Sequence, residues 1–266
     1  KYKSMRKRRI WGIVQRHLYD MRHNFDRMFD VFYWPVLDVV IWGFLTIYLS
    51  EHAGLGFSFK NVLLGGIILW GVVYALSRDI GVGFLEEMWS RNLINLFASP
   101  LSITEHAIGF LIVNLLKVGL SFAFTSFLAF ILYKFNIFIL SVAFLPYFLN
   151  LLLFSLAMGF FVAGLIIRYT SKIQTLAWSF SGLLMPISAV LYPLSALPIF
   201  LQRIAWFLPT THSFEAMRQI LAGGGFSPVH FWWGFILNLV YLGLSIFFFK
   251  KIFEIARNRG LLVKLE

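Results

Sequence analysis

Two ionisable side chains, Asp38 and Lys117, sit inside apolar runs long enough to cross a bilayer. A charge at that depth is costly, and it ordinarily faces a bundle interior, a partner charge or a water-filled path. Asp38 is expected near the inner edge of its run. Two readings of it stand open: it is solvated or bonds a neighbouring helix, or it faces a path through the membrane. Lys117 lies about halfway along its run, where it faces a polar cavity, binds an anionic substrate, snorkels, or pairs with Asp38 or another acid. Asp38, Trp42 and Lys117 are the path candidates. Glu215 and Arg218, three residues apart on one helix face, form a pair.

The rest of the chain offers little catalytic chemistry. The six histidines, at 17, 23, 52, 106, 212 and 230, are scattered, and none has metal-ligand spacing. No G-x-S-x-G elbow is present. No G-x-x-x-x-G-K-[ST] loop exists to cradle ATP phosphates. Cysteine is absent, so no disulfide or thiol chemistry is available. A membrane-embedded enzyme acting on lipids would need a polar catalytic cluster at one membrane face, and an ion-coupled carrier would need more intramembrane charge. Both remain as alternatives to a transport subunit.

Composition places the chain in a membrane. Of its 266 residues 59% are hydrophobic and 13% charged, with a mean hydropathy of +0.79; a soluble domain is about half apolar and a quarter charged. The net charge of +11 is unevenly placed. Nine cations lie within residues 1–27, and five follow the last apolar run. Cations collect on the cytoplasmic side, so both ends are expected there, in the cell (inner) membrane. Nucleic acid is not an expected partner, and no cleavable signal peptide is expected.

These patterns predict an all-α membrane protein in one transmembrane domain, 1–266, with six spans at 33–49, 62–82, 106–132, 141–167, 173–192 and 231–249. Residues 5–30 carry Trp11, Val14, Leu18, Met21, Phe25 and Met28 at helical spacing among arginines, the pattern of a helix lying in the headgroup layer. Pro186 is expected to kink the fifth span. Residues 193–228 hold two short helices, 196–207 and 213–221, broken at Pro209. Neither is long enough to span, which suggests a re-entrant hairpin including Pro209, Thr210, Glu215 and Arg218.

Between the second and third spans, 83–105 reads GFLEEMWSRNLINLFASPLSITE. Leu85, Met88, Trp89, Leu93, Leu96 and Phe97 recur at helical spacing, with Glu86, Glu87, Ser90, Arg91 and Asn95 filling the other face. The reading is a short amphipathic helix ended at Ser99-Pro100. Ser102-x-x-Glu105 then reads as a capping box opening the next helix.

The acidic pair, the aromatic and the run ending Ser99-Pro100-Leu101-Ser102 resemble the cytoplasmic loop of ABC-2-type exporter permeases. Leu208 to Arg218 resembles that family's segment before the last span, and the order of spans also agrees. The resemblance implies that 83–105 is a coupling helix seated in a separate ATPase, through Glu86, Glu87, Trp89, Arg91, Leu93, Leu96, Phe97 and Pro100. It implies two ATPase copies that bind ATP and Mg, a permease homodimer in membrane lipid, and export of a drug, lipid or lipid-linked glycan. It also implies that this chain is not itself an enzyme.

Overall fold

The computed structural model describes residues 7–52, 57–89, 101–169 and 173–258. Among these the regular elements are all helical. Helix α1 is Lys7–His23, α2 Phe25–His52, α3 Phe57–Trp89, α4 Ile103–Tyr133 and α5 Leu145–Tyr169. A short α6, Gln174–Leu184, precedes α7, Ile199–Trp206, α8, Pro209–Leu221, and the long α9, Pro228–Asn258. Among the described residues five segments are long and apolar enough to cross a membrane: Met28–His52, Phe59–Glu87, Thr104–Tyr133, Val142–Tyr169 and Pro228–Asn258.

Helices α3 and α5 form the centre, each with 67% of its apolar window buried, against 17–28% for α2, α4 and α9. The core has two main parts. A lower cluster gathers Leu76, Ile80, Phe84 and Leu85 against Ile166, Ile167 and Phe249. An upper cluster gathers Leu69 and Trp70 against Tyr147, Phe154, Phe214 and Met217. Glycines let the helices approach. A Cβ on Gly159 would fall 2.7 Å from Ile80, and one on Gly164 would fall 2.9 Å from Phe248.

Helices α5 and α9 run parallel, because Asn150 sits beside Gly234 near their starts and Gly164 beside Phe248 further down. The chain between them must therefore return the length of the bundle. It does so along α3: Ala177 lies beside Gly81, Ser181 bonds Ser77 at 2.6 Å, and Val190 lies beside Gly66. That covers fifteen residues of α3, about 22 Å at 1.5 Å per residue.

The return passage is not one helix. The expected fifth span, 173–192, is helical only through α6, and turns follow from Met185. Pro186 ends the helix instead of kinking it. It has no N–H to give Gly182, and the backbone tightens, with Met185 N–H donating to Gly182 at 3.3 Å. Val190 brings its carbonyl oxygen to 2.7 Å from where a Cβ on Gly66 would sit. Gly66→Ala must push backbone aside, so it is expected to cost about 1–3 kcal/mol. Gly71→Ala, on the same helix with nothing within 4 Å of its Cβ position, is expected to be neutral or slightly stabilising. Thermal unfolding of the two variants side by side checks this.

Other boundaries shift for local reasons. The stretch 5–30 divides at Asn24 into α1 and the start of α2, and α1 buries Ile13, Val14 and His17 while Trp11 stays exposed. The capping box is present: Ser102 accepts from Glu105 N–H at 3.1 Å, and Glu105 accepts from Ser102 N–H at 2.8 Å. Two 3-10 turns, Ile137–Leu140 and Val142–Phe144, precede α5, which starts at Leu145 and not at 141. The hairpin helices begin at Ile199 and Pro209, with proline at the first turn of α8 where its missing N–H is harmless.

Candidate functional site

The acidic pair of the loop does not open a new helix. Residues Gly83–Trp89 continue α3 without a break. Leu85 is fully buried in the lower core, so it is not on a face offered to a partner. Gly83 is required there, since a Cβ would overlap the Phe110 ring at 1.9 Å. Arg91, Leu93, Leu96, Phe97 and Pro100 lie outside the described residues.

Helix α1 ties the two stems of this loop together. Arg16 Nη2 donates to Glu87 Oε1 at 2.9 Å, and the Glu87 side chain is 6% exposed. Arg9 reaches Glu105 at 3.6 Å, and that carboxylate also holds the capping box of α4. So one basic helix binds the last turn of α3 and the first turn of α4, on either side of 90–100. Ile13 packs on Gly109 of α4, where a larger residue would meet Ile13 and the Ile10 carbonyl. Trp89 is 44% exposed, with its ring 6.3 Å from that of Trp178.

Inside this clasp lies a cavity of about 240 Å³. Arg16, Glu86 and Glu87 line it on one side, and Asp30, Asp79 and Lys117 on another. The cations are held in pairs. Arg78 donates to Asp30 at 2.8 Å and to Asp79 at 3.0 Å, and Lys117 lies 3.9 Å from Asp79. The partner of Lys117 is therefore Asp79, not Asp38. Two positive and two negative groups cancel at this depth, which lowers the cost of burying each.

A narrow crevice of about 20 Å³ leads on between α2, α3 and α4, and both Asp38 and Lys117 line it. A second crevice of the same size continues past Asp38 to Ser121 and Thr125. Trp42 is half-buried one turn beyond Asp38, and its carbonyl accepts from Thr46 at 2.6 Å. It lines neither crevice. The sequence does not single out Asp20 and Asp30, although acids within the basic N-terminal stretch are a usable signal. Arg16 was hidden among eight other cations, and only folding selects it.

At the upper end the hairpin is pinned to the broken return passage. Arg218 donates to the Ala189 carbonyl at 2.7 Å and to Glu215 at 2.9 Å. Glu215 accepts from Leu194 N–H at 2.6 Å, and Thr210 donates to Ser188 at 3.0 Å. Pro209 and Thr210 are buried. His212 Nε2–H donates to the Trp206 carbonyl at 2.9 Å, and burial lowers its pKa below the ordinary histidine value. These residues hold backbone; they do not form a cluster open to a ligand.

The family model described as ABC-2 type transporter matches residues 10–222. The chain belongs to the ABC-2 type transporter family. The match takes in α1, the stems of the loop, the crevice and the hairpin. No curated protein matches the chain. An ABC-2 membrane domain is a transport subunit and not itself catalytic, and the family implies an ABC ATPase partner. With five long apolar helices among its described residues, this ABC-2 domain is a multi-pass membrane protein.

Proposed function

We propose that this chain is the permease subunit of an ATP-driven exporter that moves a hydrophobic or amphipathic molecule out of the cytoplasm. Drugs, lipids and lipid-linked glycans are the candidate classes. The observation that carries the reading is the family match over residues 10–222. Two permease copies form the homodimer, and two copies of a separate ATPase bind ATP and Mg. The lower end, with Trp89, Glu105 and Asn258, is cytoplasmic, as are both termini. The return passage through α6 and its turns is the sixth crossing, and α7–α8 form a re-entrant hairpin on the outer side. The protein resides in the cell (inner) membrane.

Segment 83–105 couples the two subunits. Trp89 offers an exposed aromatic anchor of the kind that dominates interface energy. Closure of the ATPase dimer moves the loop. The clasp from α1 carries that movement to α3 and α4 together, biasing a two-state switch.

Two measurements test this reading. Single cysteines are introduced in this cysteine-free chain at Gly225, Arg257 and Ser171. An impermeant maleimide is expected to label only Gly225→Cys from outside intact cells. Protection of Gly225→Cys would remove the sixth crossing. The chain is also expected to co-purify with an ATPase whose hydrolysis rises with substrate. Flux driven by a proton gradient, with no such ATPase, would favour an ion-coupled carrier.

A further inference from the structure

Two histidines far apart in the chain meet at the upper end of the bundle. His212 lies in the first turn of α8 and His230 in the first turn of α9. Their Nδ1 atoms stand 3.4 Å apart, and the ring planes are tilted by 44°. Gly234 is one turn beyond His230 on the same helix face, and it lets the two helices close up. A Cβ there would lie 3.6 Å from the Cβ of His212. His212 spends only one of its two ring nitrogens on backbone, and the other faces His230.

Both rings are held in place before anything binds. His212 Nε2–H donates to the Trp206 carbonyl at 2.9 Å. The neutral ring therefore carries its proton on Nε2 and presents a bare lone pair at Nδ1. The Trp206 ring stands edge-on to it, with centroids 4.9 Å apart. The start of α9 is fixed from α5. The Tyr147 hydroxyl donates to the Ser227 carbonyl at 2.7 Å and accepts from Ser227 N–H at 2.8 Å. Asn150 donates to the Phe231 carbonyl at 3.3 Å. An imidazole whose second nitrogen donates to a backbone carbonyl is set up as a metal ligand, because that bond fixes both its tautomer and its direction.

The separation of the two nitrogens points the same way. At 3.4 Å the contact is long for an N–H donor. It matches two nitrogens on one tetrahedral ion, where bonds of about 2.0–2.1 Å place them about 3.3–3.4 Å apart. Imidazole suits zinc, and the chain has no cysteine to compete for the ion. His230 is half-buried and the turn at 222–226 is exposed, so water reaches this point. Among the described residues no set of three or more histidines and carboxylates gathers around one point. Water must then complete the shell, and the affinity is modest.

We propose that His212 and His230 form a binding site for zinc, which ties the hairpin helix α8 to the start of α9. The neutral pair releases no net proton when the ion binds. His230 moves its proton from Nδ1 to Nε2, and both Nδ1 lone pairs then face the ion. Two waters fill the remaining positions. The site is separate from the lower cavity and does not depend on the permease reading.

The test uses the whole chain, purified in detergent on a tag without histidine and stripped with a chelator. Zinc chloride is the probe. Calorimetry is expected to show one saturable site per chain with a micromolar dissociation constant. Zinc at about a hundred times that constant should raise the thermal midpoint by about 5–10 °C, and EDTA should reverse the rise. His230→Gln should weaken binding about ten-fold or more and abolish the rise. His212→Gln should do the same, while its amide N–H still serves the Trp206 carbonyl. His23→Gln with His52→Gln, both exposed on other helices, should bind as the unaltered chain does. No saturable zinc binding by the unaltered chain overturns the proposal and leaves the pair joined by a hydrogen bond alone. Unchanged affinity in folded His230→Gln protein overturns it too. So does an equal response to calcium, an ion that takes oxygen ligands. No ATPase takes part, so a negative result leaves the exporter reading intact, and failure to co-purify an ATPase leaves the zinc site intact.

Discussion

Glu87→Lys is expected to lower substrate-stimulated ATP hydrolysis by the assembled transporter more than ten-fold, and Arg16→Glu in the same chain is expected to restore most of it. The single change places a lysine opposite Arg16 in a site where the native carboxylate is 6% exposed. Breaking a buried pair from one side costs about 3–5 kcal/mol. Here the cost is about 2–3 kcal/mol, because the Arg16 side chain is 38% exposed and water screens it. The swapped pair regains the contact with its ends exchanged. A shared role in binding the ATPase gives a different result, since the double variant would then present the wrong charge to the partner and stay inactive. Pull-down of the ATPase with all three variants separates the two. Restored hydrolysis assigns Glu87 to the clasp, whereas lost pull-down that the swap does not restore assigns it to the interface. Trp89→Ala, which leaves the clasp untouched, is expected to weaken the pull-down alone.

Arg218→Ala is expected to destabilise the fold by about 3 kcal/mol. Arg218 satisfies a carbonyl at Ala189, where the return passage has left helical geometry and φ is 52°. It also neutralises Glu215, which in turn binds Leu194 N–H. Its side chain is only 13% exposed, so water does not take over these bonds. The variant leaves the Ala189 carbonyl without its donor and the Glu215 carboxylate without its counter-charge. A fall in thermal midpoint of about 5–10 °C is expected in detergent. Arg218→Lys should recover only part of it, because an ammonium lacks the planar fork that reaches two acceptors at once. A midpoint within a degree of wild type would show that the hairpin does not brace the broken passage.

Much of this molecule is legible in its sequence, because a bilayer is a simple solvent. Runs of about 20 apolar residues name the spans, and Ser102 with Glu105 names the start of α4 through local bonds that need no tertiary partner. Pro209 and Gly223 mark where α8 starts and stops for equally local reasons: one lacks an N–H, and the other adopts a φ of 87°. Hydropathy along 173–192 does not separate a continuous helix from α6 followed by turns. The turns survive only because Ser188, Ala189 and Leu194 find polar partners on α8, far along the chain.

Composition and periodicity alone show a helical membrane protein, a loop between the second and third apolar runs, and Asp38 and Lys117 inside such runs. Which charges meet depends on long-range packing. Nine cations precede Phe29 within the first 27 residues, and nothing in their spacing selects Arg16 for Glu87 or Arg9 for Glu105. That choice depends on the angle at which α1 crosses α4, set by Ile13 against Gly109. Likewise Lys117 goes to Asp79 and not to Asp38, because the rotation of α3 turns Asp79 toward α4. Side-chain periodicity fixes which residues share a helix face. Which neighbour that face meets is fixed by long-range packing, where one glycine or one buried ring outweighs any local preference.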